Sequence, residues 1–130
     1  TEAMQDADVF VGVSGKGLLK AEHVVRMAPR GIVFALANPD PEILPDEAWQ
    51  AGAEVVATGR SDFPNQINNA LVFPGIFRGA LDKGVKKITE ATKLRAARAL
   101  ATLVKHPTAE NIIPDLLDSR VVKAVASAVR

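Results

Sequence analysis

Cysteine and tyrosine are absent from the 130-residue sequence, and aromatic residues make up only 5% of it. Without cysteine, the chain cannot form a disulfide framework, a thiolate nucleophile or a cysteine-based zinc site. Without tyrosine, it has no phenolic general acid of its own. The lack of cysteine is compatible with a cytoplasmic location, which we expect, but does not establish it.

Neither sign of charge dominates, and long hydrophobic runs are also missing. Sixteen basic and fifteen acidic residues leave a net charge of +1, so nothing favours nucleic acid or a membrane surface as a partner. No apolar run reaches the length of a membrane span, and no signal peptide opens the chain. The hydrophobic content of 48% is typical of a globular interior. We therefore expect one globular domain, or part of one.

The first half of the chain alternates between apolar, β-branched runs and helical patterns. The runs cover residues 8–14, 31–37 and 53–58 and are predicted to be strands. The composition of the first is typical of a strand buried on both faces, and the second is also expected to be buried. Helices are predicted between them, over residues 18–27 and 45–50. This alternation predicts parallel strands with right-handed crossovers. The expected fold is α/β, the second half of a Rossmann-like doubly wound parallel sheet followed by carboxyl-terminal helices.

The second half of the chain is predicted to be helical. One helix covers residues 65–81 with a kink near Pro74, a second covers 88–104 and a third covers 118–130. In the second helix, apolar residues recur at helical spacing at Ala91, Leu94, Ala97, Ala101 and Val104. In the third, Asp118 is expected to cap the first turn, and the buried stripe is predicted at Val121, Val122, Val125 and Val129.

The domain organisation follows from these two halves. Residues 1–84 are interpreted as the carboxyl-terminal half of a dinucleotide-binding domain, and residues 85–130 as a helical segment of the same domain. The strands are too few for a complete doubly wound sheet. The sequence also begins at Thr1 without an initiator Met. We therefore expect a fragment whose other strands lie upstream.

Polar residues follow each predicted strand. In open α/β sheets the carboxyl ends of the strands lie at one edge, where ligands bind. Here those ends are Ser14-Gly15, Asn38-Pro39 and the segment 59–62. A cluster of side-chain amides comes directly afterwards, at Asn65, Gln66, Asn68 and Asn69. Any single strand end is explained by turn formation, but Asn38 and Asn69 together favour contact with a ligand.

Other candidate residues have structural explanations. The segment 12–17, Gly-Val-Ser-Gly-Lys-Gly, matches neither a P-loop nor a Gly-x-Gly-x-x-Gly fingerprint, and a tight turn explains it. His23 and His106 have no second ligand at metal-binding spacing. Asp62 is interpreted as a helix cap rather than an acid or base. Trp49 is expected to pack a helix against the sheet.

Several motifs resemble the bacterial branch of the malic enzymes. They are the segments 8–14, 37–42 (Ala-Asn-Pro-Asp-Pro-Glu) and 58–62, followed by Asn68-Asn69 with Phe-Pro-Gly at 73–75. The resemblance covers nearly the whole chain, and the two asparagine motifs in this order are specific. Segment 114–118 reads Pro-Asp-Leu-Leu-Asp, where the family commonly has Pro-Lys-Pro-Phe-Asp. This departure concerns the packing of the last helix.

The resemblance implies an oxidoreductase that converts L-malate to pyruvate and CO2 with NAD or NADP and a divalent metal, Mg2+ or Mn2+. It implies that Asn38 and Asn69 bind substrate, and that Ser14, Gly15, Asn38 and Asn68 bind the cofactor. The family's lysine base, tyrosine acid and metal ligands would lie upstream, so no catalytic or metal-binding residue is assigned in this chain. The implied partners are the remainder of the enzyme chain and a second subunit in a homodimer or other homo-oligomer.

Two alternative functions stay open at this point. A half-Rossmann shape also suits a non-catalytic nucleotide-sensing module, because a fold does not fix a function. The long helices could instead make the segment a subunit-interaction piece. NAD-versus-NADP preference depends on a strand end that the chain lacks.

Overall fold

The computed structural model describes residues 2–130 of the chain. The chain divides into two compact units, the first ending at Ile67 and the second running from Asn68 to Arg130. The predicted boundary after residue 84 falls within the second unit, at the left-handed Gly84 that ends one of its helices. That domain boundary stays a prediction.

A parallel sheet forms the centre of the first unit. Its strands are β1 (Val9–Gly12), β2 (Ile32–Ala35) and β3 (Val55–Thr58), in the order β1-β2-β3. The strands run in register, with Val9 beside Ile32 and Ile32 beside Val55. Their carboxyl ends therefore lie together at one edge. The prediction of a parallel α/β fold followed by helices is confirmed.

Burial on both faces was expected of the first strand, and for β1 this is wrong. The side chains of Val9 and Val11 are 48% and 59% exposed, whereas Val33 and Val56 are buried. Among residues 2–130, β1 pairs only with β2, so it is an edge strand of this sheet. The apolar face that its sequence encodes is only partly covered here.

Two short α-helices connect the strands, α1 (Ala21–Val24) and α2 (Pro45–Gln50). The helix predicted over 18–27 is shorter because the backbone amide of Leu19 donates to the carbonyl of Glu42 at 3.1 Å, and Lys20 is extended. The prediction for α2 is confirmed, with Pro45 in its first turn. Trp49 packs against the first hydrophobic core, as expected. That core contains Leu19, Val24, Met27, Val33, Ala35, Ile43, Ala48, Ala53 and Val56.

The second unit is helical, with α3 (Phe73–Lys83), α4 (Glu90–Ala101) and α5 (Arg120–Ala128). No helix within residues 2–130 is long and apolar enough to cross a membrane. The prediction of one helix over 65–81 is wrong. Asn65 has a left-handed backbone with φ of 57°, and only a short 3-10 helix, Asn69–Leu71, precedes α3. Pro74 therefore begins a helix rather than kinking one.

Two glycines allow α3 and α5 to approach closely. A Cβ added at Gly75 would lie 2.5 Å from the Cβ of Val125, and one at Gly79 would lie 2.5 Å from the carbonyl oxygen of Ala126. The Gly-x-x-x-Gly spacing places both glycines on one face of α3. The second core forms around this contact and contains Leu71, Ile76, Ala96, Leu100, Val121, Val125 and Val129.

The buried faces of α4 and α5 differ in part from the predicted ones. In α4 the buried residues are Thr92, Ala96 and Leu100. Of the predicted series, Ala91, Leu94, Ala97 and Ala101 are exposed, and Val104 lies beyond the end of the helix and is half-buried. Small residues lie all round this helix, so its apolar pattern does not select one face. In α5, Val122 is exposed, while the rest of the predicted stripe, Val121, Val125 and Val129, is buried.

The ends of α5 are held by charged groups. At its start, the Asp118 carboxylate accepts a hydrogen bond of 2.9 Å from the backbone amide of Arg120, as expected of a capping residue, although Ser119 occupies the formal capping position. At its end, the Lys83 ammonium donates to three backbone carbonyls at 2.8–3.0 Å. A cation there satisfies carbonyls that lack helical partners.

Candidate functional site

The carboxyl ends of the three strands are joined by ion pairs. Lys16, after β1, lies 3.2 Å from Asp40, after β2. Arg60, after β3, lies 3.5 Å from the other oxygen of the same carboxylate. Asp40 therefore connects all three strand ends. The predicted convergence of these segments at one edge of the sheet is confirmed.

Glu42 makes a second and more buried connection between β1 and β2. One carboxylate oxygen accepts hydrogen bonds from the backbone amide of Ser14 at 2.7 Å and from its hydroxyl at 2.9 Å. The other oxygen accepts from the amide of Ala37 at 3.0 Å. Glu42 is completely buried. One acidic side chain thus holds the residues that precede Gly15 and Asn38.

The sequence makes room for this carboxylate at Gly12. A Cβ at this position would lie 2.6 Å from the carboxyl group of Glu42 and 2.8 Å from the ring of Phe10. Burial on its own raises the pKa of the Glu42 carboxyl, but hydrogen bonds from the backbone amides of Ser14, Ala37 and Glu42 itself and from the Ser14 hydroxyl outweigh it. The pKa of Glu42 therefore lies below its ordinary value, and the group is a carboxylate at neutral pH.

The sequence analysis assigns no role to Glu42. The residue enters it only as the last position of the segment 37–42, directly before the apolar pair Ile43-Leu44. Its hydrogen-bond partners lie 28 and 5 residues away along the chain. No spacing rule connects such positions.

Asn38 lies at the end of the segment that Glu42 holds. The residue is exposed, and its peptide bond to Pro39 is cis. No hydrogen bond engages its side-chain amide within residues 2–130. Asn38 therefore presents a donor and an acceptor to solvent at the carboxyl edge of the sheet.

The cluster of four amides separates into different roles. Asn65 is buried, and its amide nitrogen donates to the carbonyl of Val56 at 3.0 Å. The Gln66 amide donates to the carbonyl of Gly59 at 3.4 Å. These two residues hold the loop after β3 against the first unit. The cluster is therefore partly structural.

The remaining two amides belong to the second unit. The side-chain oxygen of Asn68 accepts a hydrogen bond of 2.9 Å from the amide of Ala70 and caps the 3-10 helix. Asn69 is exposed, and in the described part of the chain its side chain makes no hydrogen bond. Of the predicted site residues, the first unit thus holds Ser14, Gly15 and Asn38, and the second holds Asn68 and Asn69.

Asp62 is not a helix cap, because no helix begins beside it. Its carboxylate accepts two hydrogen bonds from the Arg60 guanidinium, at 2.8 and 2.6 Å. The same guanidinium lies 5.4 Å from the centre of the Phe63 ring. The bond from Arg60 is the main cause that lowers the pKa of Asp62, which is therefore ionised. Residues 2–130 contain no group of three or more His, Cys, Asp or Glu arranged to hold a metal ion.

Comparison with known proteins identifies the family. The sequence profile of the malic enzyme NAD-binding domain matches residues 3–130. The chain belongs to the malic enzyme family. The bifunctional malic/malolactic enzyme of Bacillus subtilis is 55% identical over 98% of the chain, and the NAD-dependent malic enzyme of Geobacillus stearothermophilus is 52% identical over 99%.

A solved malic enzyme has the same fold over this region. The crystal structure of malic enzyme from Pyrococcus horikoshii superposes with a TM-score of 0.92 and 53% sequence identity, covering 98% of the chain. The chain spans only 27–32% of the length of these three malic enzymes. The parallel sheet and the carboxyl-terminal helices described above are thus part of a malic enzyme NAD-binding domain.

Proposed function

We propose that these 130 residues are one segment of a larger malic enzyme chain that oxidises L-malate and decarboxylates the product to pyruvate and CO2. The observation that carries the proposal is the family match over residues 3–130. The carboxyl edge of the sheet supports it, because ligands of open α/β sheets bind there. The segment would form the later part of the NAD(P)-binding domain.

The residues at this edge suit a nicotinamide dinucleotide. NAD(P)+, when bound, accepts hydride from the carbon that bears malate's hydroxyl. We propose that the Ser14-Gly15 turn lines the cofactor cleft. The amide of Asn38, exposed and unengaged within residues 2–130, would bind the nicotinamide end and the substrate. An amide can both donate and accept, as a carboxamide ring substituent requires.

In the second unit, we propose Asn69 as a substrate contact and Asn68 as a cofactor contact. The Asn69 amide is exposed and can donate to a malate carboxylate without adding charge that would compete with a metal. Asn68 already uses its oxygen to cap the adjacent helix. Its contribution therefore includes holding the chain in place beside Asn69.

The proposal assigns the other parts of the reaction to residues outside this segment. The described residues hold no acidic or histidine group that fits Mg2+ or Mn2+, and the chain has no tyrosine. The metal ligands, the lysine base and the tyrosine acid would come from the rest of the protein. Residues 1–130 alone are therefore expected to be inactive.

The complete protein should be assayed with L-malate and Mn2+, with NAD+ and NADP+ supplied separately, following absorbance of the reduced cofactor. We expect malate-dependent reduction of at least one cofactor with release of pyruvate and CO2. If the protein bound a dinucleotide without oxidising malate, the sensing alternative would replace this proposal. If it bound neither dinucleotide, the subunit-interaction alternative would replace the proposal instead. Turnover by the isolated 130 residues would contradict the assignment of the catalytic groups elsewhere.

Two further properties of the complete protein belong to the proposal, a cytoplasmic location and a homo-oligomeric state. Both rest on family membership alone. Cell fractionation tests the first, and light scattering coupled to size-exclusion chromatography tests the second. A monomeric mass for the active enzyme would contradict the expected homo-oligomer.

A further inference from the structure

Backbone hydrogen bonds at Glu42 and Pro41 add to those that the Glu42 carboxylate accepts from Ser14 and Ala37. Its own carbonyl accepts from the amide of Leu19 at 3.1 Å, and the carbonyl of Pro41 accepts from Gly17 at 3.3 Å. The segment after β1 is therefore tied to the segment after β2 through both the side chain and the backbone at residue 42. The carboxylate is the part that reaches the two strand ends.

A buried charge with this bonding pattern is costly unless every bond is made. Removing one partner leaves a buried polar group unsatisfied, which costs more than the bond contributes when present. The three donors that face Glu42 come from Ser14 and Ala37, which directly precede Gly15 and Asn38. An apolar side chain at position 42 could be buried as the neighbouring Ile43 is, but it would not connect the two strand ends.

We propose that Glu42 is a positioning residue, whose buried carboxylate holds the Ser14-Gly15 turn and the Asn38 segment in the arrangement that binds the dinucleotide. It touches neither cofactor nor substrate and acts through Ser14 and Ala37. The inference rests on the proposed cofactor role of these two segments. It gives a role to the last residue of the segment 37–42, for which the resemblance implied none.

Glu42→Gln is the direct test, because it keeps the shape of the side chain and removes one acceptor. The amide has a single oxygen, so it can serve either the Ser14 donors or the Ala37 amide, and its NH2 group faces the other donor. In the complete protein we expect the Kd for NAD+ or NADP+, whichever binds, to rise about tenfold or more. Hydrogen exchange at the amides of Ser14 or Ala37 should accelerate by a similar factor.

A matched control separates positioning from simple loss of stability. Val33→Ala removes buried apolar atoms from β2 without touching the carboxylate. It should lower the melting temperature and, below that temperature, leave cofactor affinity unchanged. If Glu42→Gln lowered the melting temperature but kept wild-type affinity and wild-type exchange at both amides, Glu42 would be purely structural and the inference would be overturned.

Glu42→Asp provides the same test if the glutamine variant does not fold. It keeps the charge, but the side chain is one methylene shorter and cannot reach both strand ends, so affinity should again fall. Wild-type affinity in this variant would overturn the inference. Because the readouts are dinucleotide binding and exchange, they do not depend on malate turnover. Failure of the wild-type protein to oxidise malate would contradict the proposed function. The inference about Glu42 would still be decided by dinucleotide binding and hydrogen exchange.

Discussion

The two units of the chain use buried polar groups differently. The first unit contains three buried polar residues, Glu42, Thr58 and Asn65, while Thr92 is the corresponding residue in the second, counting only positions 2–130. In the first unit these groups lie at or after strand ends. In the second, the core is apolar and the charged groups instead hold the two ends of α5.

This difference separates the parts of the chain by task. The carboxyl ends of parallel strands lead into loops at one edge of the sheet, where ligands bind. Polar side chains at this edge can therefore both hold the loops and contact a ligand. A helix satisfies its own backbone except at its ends, so polar groups are needed mainly there. The first unit should therefore respond to polar substitutions in binding, and the second chiefly in stability. Asn69, together with the neighbouring Asn68, is the proposed exception.

The largest expected effect tests that exception. In the complete enzyme, Asn69→Ala should remove a charge-assisted hydrogen bond to malate of about 1.5–3 kcal/mol, which corresponds to roughly ten- to 150-fold in kcat/KM. Asn69→Asp should be worse, because its charge would oppose the malate carboxylate. Steady-state kinetics with malate as the varied substrate measures both. The melting temperature should stay close to wild type because the side chain is exposed and makes no bond within residues 2–130.

The matched control is the neighbouring amide. Asn68→Ala removes the cap on Ala70 and should cost about 0.5–2 kcal/mol of stability, with a smaller loss of kcat/KM than Asn69→Ala. Normal malate kinetics for Asn69→Ala together with a large drop in melting temperature would show that Asn69 is structural. The second unit would then have no assigned substrate contact, and Asn68 would be its one proposed ligand contact.

A glycine-to-alanine substitution can be made at a close contact in each unit, and in the first unit this is Gly12→Ala. Its methyl group would lie 2.6 Å from the Glu42 carboxyl. Overpacking of this kind costs about 1–3 kcal/mol. Because the displaced group holds the Ser14 and Ala37 amides, dinucleotide affinity should fall along with the melting temperature. Unchanged affinity, measured by titration well below the melting temperature, would contradict the connection drawn between Gly12, Glu42 and the cofactor.

In the second unit, Gly79→Ala should lower the melting temperature and leave dinucleotide affinity unchanged. Its methyl group would lie 2.5 Å from the carbonyl oxygen of Ala126 and 2.8 Å from the Cβ of Val129. Overpacking should cost about 1–3 kcal/mol. The better helix propensity of alanine recovers only about 0.5–1 kcal/mol of this cost. Leu81→Ala, at an exposed site of the same helix, is the control and should be nearly neutral. A loss of dinucleotide affinity in folded Gly79→Ala would break the division of tasks.

The smallest expected effect is a loss of stability at low pH. Hydrogen bonds from the Arg120 side chain and amide lower the pKa of Asp118 from 3.8 to about 2. A carboxylate with a lowered pKa in the folded state stabilises the protein above its ordinary pKa, and that contribution is lost as the pH falls through the lower value. The contribution of Asp118 is therefore present above pH 3.8 and disappears towards pH 2.

Carbon-13 NMR of the Asp118 carboxyl during an acid titration measures this pKa. In Arg120→Ala the pKa should return towards its ordinary value, and a titration identical to wild type would contradict the assigned cause. Glu42 has the same sign, since its pKa is also lowered. Its protonation should release the cofactor-binding segments, whereas that of Asp118 should affect only the start of α5.

Much of the first unit could be predicted from sequence because its signals are local. The β-branched runs, the proline that begins α2 and the motif around Asn38 each lie within a few consecutive residues. The helical part was predicted less well. Asn65 reads as a polar residue at a helix start, but its left-handed backbone and its bond to Val56 keep the chain out of the helix until Phe73. The choice of buried face in α4 depended on its neighbours, not on its own pattern.

Short motifs and hydrophobic periodicity were enough to predict the family, the parallel α/β order and the asparagines that the structure leaves exposed, because these features are encoded locally. The packed fold was needed to see that Glu42 joins Ser14 to Ala37, that Gly12 provides its space, and that Gly75 and Gly79 receive α5. These contacts join residues that are distant in sequence. Their geometry is set by how strands and helices meet, and no local pattern records it.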